Sequence, residues 1–177
     1  MKKTLLILGV TATLMLNGCA RGANVEGMQA MDHQAHALST ATFEGLKKAS
    51  APAFPVGSKV TIHSDHMEGM NGAEGTVSGA FDTTLYAVTY KPATGGKTVH
   101  DHKWVIQEEL KDAGEARYAP GDSVTLNADH MEGMMGAAAT IDLVVKGTVY
   151  SVDYDPTTGG DTVKNHRWVS EDELSAR

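Results

Sequence analysis

Val60 and Ile62 alternate with polar neighbours, and so do Val124 and Leu126, so each pair predicts a half-buried strand. A turn glycine precedes each pair, Gly57 in one case and Gly121 in the other. Tyr86, Val88 and Tyr90 alternate in the same way, and Tyr150, Val152 and Tyr154 repeat them. These read as the buried face of a central strand. Shorter extended runs flank them: Thr76-Val77, Thr98-Val99 and Trp104-Val105, matched by Thr140-Ile141, Thr162-Val163 and Trp168-Val169. Pro92 with Gly95-Gly96, and Pro156 with Gly159-Gly160, mark tight turns. No stretch after the N-terminal segment carries a sustained helical period, so the expected class is all-β.

The pattern occurs twice, at a fixed offset and without gaps, from Phe54 to Leu110 and from Tyr118 to Leu174. Each copy is therefore one repeating unit. The expected organisation is a first β-barrel repeat over 54–110, a linker over 111–117 and a second β-barrel repeat over 118–177. Several short strands with glycine turns in so short a unit suggest a small barrel. The opening Gly57-Ser58-Lys59-Val60-Thr61-Ile62, followed by a glycine-rich bend and Thr76-Val77, resembles SH3-like barrels of the KOW type. The expectation is two tandem small SH3-like barrels after a flexible N-terminal tether, a likeness of fold that implies no nucleic-acid role.

Residues 1–18 read as a lipoprotein signal peptide: Lys2 and Lys3, then an apolar stretch too short to span a membrane, ending at Leu16-Asn17-Gly18-Cys19. That ending resembles the bacterial lipobox, in which the cysteine is lipidated. Cys19 is the one cysteine in the chain, so a lipidated product has neither a free thiol nor a disulfide. Residues 19–53 read as a tether rich in Ala, Gly, Ser and Thr, with a helical turn over Phe43–Lys48 where it meets the first unit.

The formal net charge is −7, and loss of Lys2 and Lys3 makes it more negative, because every Asp and Glu follows Cys19. Such a chain lacks the basic patch that phosphate binding needs, so nucleic acid is not an expected partner. Catalysis finds no support either: there is no thiol nucleophile beyond Cys19 and no repeated Ser-His-acid spacing. The Thr-Gly-Gly turns lack the Gly-Lys-Ser/Thr of a phosphate loop.

The candidate chemistry lies in Asp65-His66-Met67-Glu68-Gly69-Met70, which recurs unchanged as Asp129-His130-Met131-Glu132-Gly133-Met134. Cu(I) is soft and favours thioether and imidazole donors. A turn at each glycine brings one His and two Met together, so His66, Met67, Met70, His130, Met131 and Met134 are the expected ligands. The plainer alternative is that these methionines fill core gaps. Asp65 and Asp129 are expected to orient the imidazoles, and Glu68 and Glu132 are harder outer donors or merely solvate the loop. Accessory donors are Met135, His63, His100, His102 and His166, with Met28, Met31, His33 and His36 clustered in the tether. His102 and His166 each sit two residues before a Trp, where a structural role is the simpler reading.

The hexapeptide, then Thr83-Thr84-Leu85-Tyr86-Ala87-Val88-Thr89-Tyr90, Thr94-Gly95-Gly96-Lys97-Thr98-Val99 and His102-Lys103-Trp104-Val105, with the second-copy counterparts in the same order, resembles the YdhK-type bacterial lipoproteins. The resemblance spans Phe54 to Leu174. Some members, the CopL-like lipoproteins, are copper-binding, so it implies an extracytoplasmic, membrane-anchored lipoprotein that buffers Cu(I) and contributes to copper tolerance, with a copper exporter as a partner. The alternatives are a surface adhesion or scaffolding module for wall polymer or peptide, and a Zn(II) or Cu(II) protein using His and Glu.

Overall fold

The structure is a computed structural model that describes Phe43 and residues 45–177. The signal peptide, Cys19 and the tether donors Met28, Met31, His33 and His36 lie outside the described residues.

Among the described residues seven strands form one antiparallel sheet: β1 (Lys59–Ile62), β2 (Glu74–Tyr90), β3 (Val99–Ile106), β4 (Ser123–Thr125), β5 (Ala138–Asp155), β6 (Val163–Ser170) and β7 (Leu174–Ala176). The all-β expectation holds. Two long strands dominate: β2 has 17 residues and β5 has 18. Each joins two sequence runs that look separate, because Gly79, Ala80, Asp82 and Thr83 interrupt the apolar alternation in β2 without breaking the strand.

β2 and β5 pair antiparallel along nearly their whole length, from Glu74 opposite Asp155 to Tyr90 opposite Ala139. The sheet order is β4-β5-β2-β1-β7, with β3 added to β2 and β6 to β5. This pairing sends the second half of each repeat to the first half of the other. One core holds Tyr86, Val88, Tyr90 and Val105 of the first repeat with Leu126, Met134, Ala139 and Ile141 of the second. The other holds Val60, Ile62, Met70 and Val77 with Tyr150, Val152, Tyr154 and Leu174. Neither core is built from one repeat. A third cluster, with Phe81, Leu85, Trp104, Val149 and Trp168, lies where the long strands cross from one core to the next. Burying each core thus requires both copies, and the apolar area involved is the main stabilising term.

Residues 45–53, expected to belong to the tether, lie against the sheet. Ala49 donates to the Ala80 carbonyl at 3.0 Å, Asp82 donates to that of Lys47 at 2.9 Å, and Lys48 bridges Phe81. In place of a helical turn, one hydrogen bond from Leu46 to Phe43 turns the chain into this pairing. β1 ends its pairing with β2 at Thr76, so residues 80–82 have a free edge there to satisfy.

Candidate functional site

Each hexapeptide forms a loop between a short strand and a long one. Gly69 has φ of 76° and Gly133 of 77°, a region that L side chains rarely adopt. A Cβ at Gly69 would also lie 2.5 Å from Thr158 Oγ1, and one at Gly133 would lie 2.7 Å from Pro92 Cβ. The reason is a contact across the repeats: the Gly69 carbonyl accepts from Thr157 N at 2.9 Å, and that of Gly133 from Ala93 N at 2.8 Å. The Pro-Gly-Gly turn of one repeat therefore holds the hexapeptide loop of the other.

The two loops meet. A cavity of about 70 Å³ is lined by His66, Met67, Asp129, His130 and Met131 from the loops and by His102, Lys103, Asn165, His166 and Arg167 from β3 and β6. Two loops expected to act separately face one pocket, and both His-x-Trp segments join them. The Lys103–Trp104 and Arg167–Trp168 peptide bonds are cis. The sheet register shifts around His102 and His166. Where the register shifts, His and Trp part company: the imidazoles line the pocket while Trp104 and Trp168 are buried in the third cluster.

The carboxylates that face the loop imidazoles are Glu173 and Glu109, instead of Asp65 and Asp129. Glu173 Oε1 lies 2.8 Å from His66 Nε2, close but off the line of a hydrogen bond. Glu173 Oε2 accepts from Trp104 Nε1 at 2.8 Å, Ser170 N at 2.8 Å and Ser170 Oγ at 2.9 Å. Glu109 Oε2 lies 3.3 Å from His130 Nε2 and accepts from Trp168 Nε1 at 3.0 Å and Ile106 N at 3.1 Å. Each glutamate ends a short 3-10 turn, Gln107–Glu109 or Glu171–Glu173, and reaches back to the amide that precedes it. Their backbones hold the loops as well: His63 N donates to Glu173 O and Asn127 N to Glu109 O. Again the partners come from opposite repeats. The signal for these glutamates was in the sequence, since Glu109-Leu110 and Glu173-Leu174 recur with the rest.

Burial raises the pKa of the Glu173 carboxyl, but the His66 contact and charge and the Ser170 and Trp104 donors outweigh it and hold the group down at about 2. Glu109 is likewise opposed by burial and still held below the usual carboxylate range, chiefly by the charge of His130. His102 is the contrary case. Burial first, then the neighbouring His130 and His66, push its pKa down to about 4, so it is neutral at neutral pH with a lone pair to offer. Its ring stacks on that of His130, with centroids 5.6 Å apart, and meets Tyr90 edge-on at 5.8 Å. His166 meets Tyr154 in the same way at 5.7 Å. His102 Nε2 and His66 Nδ1 are buried and make no hydrogen bond among the described residues.

The methionines divide. Met67 and Met131 are half-buried and line the pocket while packing on the two cores. Met70 and Met134 are 0% exposed and lie within the cores themselves, so they do not join the imidazoles. The loop turns back at glycine to bury its last residue, and this corrects the expected pairing of Met67 with Met70 and of Met131 with Met134. Asp129 pairs with Arg167 at 2.7 Å, while Asp65, Glu68 and Glu132 are exposed. His63 bonds Ser175 Oγ at 2.7 Å, and neither it nor the exposed Met135 lines the pocket. His100 stands outside the pocket, in a depression next to it.

The residues present fit a soft cation. The pocket combines imidazole nitrogens, two with neither a hydrogen bond nor an ion pair among the described residues, with two thioethers and no thiolate, a donor set suited to Cu(I). Among the described residues no three His, Cys, Asp or Glu side chains stand together as a metal-binding group. A site of imidazoles alone is thus not preformed, and the thioethers matter to the fit.

Comparison with known proteins places the chain in a group without an assigned activity. The family described as "Protein of unknown function (DUF1541)" matches residues 56–107 and again 120–171. The uncharacterized protein YdhK of Bacillus subtilis (strain 168) is 57% identical over 142 residues, which are 80% of this chain and 69% of that protein. The crystal structure of YdhK is similar with a TM-score of 0.74 at 59% identity, covering 76% of this chain and 91% of that one. The solution structure of the YdhK C-terminal domain has a TM-score of 0.66 at 61% identity, over 69% of this chain and 92% of the other. With both repeats matched, the chain belongs to the DUF1541 family.

Proposed function

We propose that this chain is an extracytoplasmic copper-binding lipoprotein that captures Cu(I) in one pocket shared by its two repeats. The observation that supports this best is the convergence of His66, His102, His130 and His166 with Met67 and Met131 on a single small cavity. Structural repetition alone accounts for shared valines and glycines, but gives no reason for unpartnered imidazole nitrogens beside thioethers. His66, His102, Met67 and Met131 would hold the ion, with His130 and His166 beside them. Glu109 and Glu173 fix the loops. Lipid on Cys19 would anchor the protein outside the membrane, where Met and His donors do not oxidise to disulfides as thiols do. Binding there would lower free copper near the membrane, and an exporter would supply it.

The adhesive alternative needs exposed aromatic faces, and Trp104, Trp168, Tyr86, Tyr90, Tyr150 and Tyr154 are all buried. A Zn(II) or Cu(II) site through His and Glu has less support, because Glu109 and Glu173 already accept from Trp and backbone donors. The test is an anaerobic Cu(I) titration of soluble residues 20–177 against a coloured chelator, run beside Zn(II). Cu(I) binding that weakens when Met67 and Met131 become Leu supports the assignment. Cu(I) binding indifferent to those changes, or preferential Zn(II) binding, rejects it.

A further inference from the structure

The pocket has two flanks, one beside each repeat, and they are not alike. On the second-repeat side Arg167 spans Asp129 at 2.7 Å and Glu109 at 3.7 Å. Asn165 stands next to it, and Lys164 follows the strand outward, paired with Asp153 at 3.1 Å. Both cations there are held by carboxylates, Arg167 by Asp129 and Glu109 and Lys164 by Asp153, and the arginine ties the loop to the glutamate beneath it.

On the first-repeat side the counterparts are Lys103, Asp65, Asp101 and His100. Among the described residues Lys103 has no carboxylate within ion-pair distance and leans over the Trp104 ring instead. Among the described residues no cation ties Asp65 to Glu173 as Arg167 ties Asp129 to Glu109. A depression of about 300 Å³ opens here, with Asp65, His100 and Asp101 on its outer wall. Its inner wall is His66, His102, Lys103 and Met131, which also line the pocket. Two carboxylates face one cation on this side, and an exposed imidazole stands where the other side has lysine.

We propose that a cation reaches the shared pocket through the first-repeat side alone, and that His100 takes it from solution and passes it to His66 and His102. The inference rests on the copper reading above. Asp65 and Asp101 draw cations to the mouth, as charge-lined clefts do. Carboxylates hold a soft ion poorly, so the handover needs a nitrogen donor at the mouth, and His100 supplies it. On the other side Arg167, held between Asp129 and Glu109, bars the way.

Stopped-flow transfer of Cu(I) from a coloured chelator to residues 20–177 tests the route. The His100→Gln variant should load, and return copper to excess chelator, several-fold more slowly, because the nitrogen donor at the mouth is gone. Lys164→His should change neither rate. An unfolding curve matching the unaltered chain shows that His100→Gln keeps the fold. Loading of His100→Gln at the unaltered rate overturns the route and leaves the copper reading in place. Failure of the unaltered chain to take Cu(I) overturns both.

Discussion

Met67 and Met70 stand three residues apart on one loop, and the fold uses them in opposite ways. Met67 lies half-buried at the pocket, while Met70 is fully enclosed among Val60, Ile62, Ala73 and Tyr154. Met131 and Met134 repeat the division in the second copy. Met70 has an apolar core around it, so its flexible side chain fills space. Met67 has imidazoles around it, so in the proposed site its sulfur is a donor. Identical residue types in one hexapeptide thus separate into structure and chemistry by which way the chain turns at Gly69.

The largest test of that division is truncation of the core pair. Met70→Ala or Met134→Ala should each cost about 2–5 kcal/mol of stability in denaturant unfolding. Copper affinity of the protein that remains folded should change little. A variant at the unaltered stability would mean that the core methionines are not packed as described.

Acid comes next, and it loads the pocket side. Glu173 sits at about 2 in the fold against an ordinary 4.5, so its contribution is complete above pH 4.5 and is lost as pH falls from there towards 2. His102 sits at about 4 against 6.5; its neutral form is favoured by the fold, so stability falls as pH drops from 6.5 towards 4. Both have the same sign. The His102 part amounts to at most about 3 kcal/mol. Unfolding midpoints measured from pH 7 to pH 4 should decline, and His102→Asn should flatten that decline.

The pocket pair gives a smaller change in stability and a larger one in binding. Met67→Leu with Met131→Leu keeps volume and should alter stability by under about 1.5 kcal/mol per site. Cu(I) affinity in chelator competition should fall at least about tenfold, or 1.4 kcal/mol. The smallest effect belongs to Met135, which is exposed and has Asn71 as its counterpart. Met135→Asn should move stability by no more than about 0.5 kcal/mol and leave titration unchanged.

The strands, turns and repeat were legible because alternation of Val, Tyr and Ile, and the spacing of Pro and Gly, are local signals. The hexapeptide histidines were legible by recurrence. The pairing of halves across repeats was not, since β2 and β5 each hide a continuous strand behind Gly79, Ala80 and Asp82, or behind Lys146 and Gly147, where apolar alternation lapses. That pairing decides which side chains meet. It sends Glu173 to His66 and Glu109 to His130, and it puts both loops on one pocket. Local spacing placed Met67 beside Met70, and only the burial of the loop's end separates them.

The central claim is that one site draws on both repeats. Nuclear magnetic resonance of the methionine methyl groups during anaerobic Cu(I) titration tests it most directly. The methyls of Met67 and Met131 should shift together and finish at one equivalent, with those of Met70 and Met134 nearly still. Two sites filling one after the other, with Met67 moving beside Met70 and Met131 beside Met134, would contradict it.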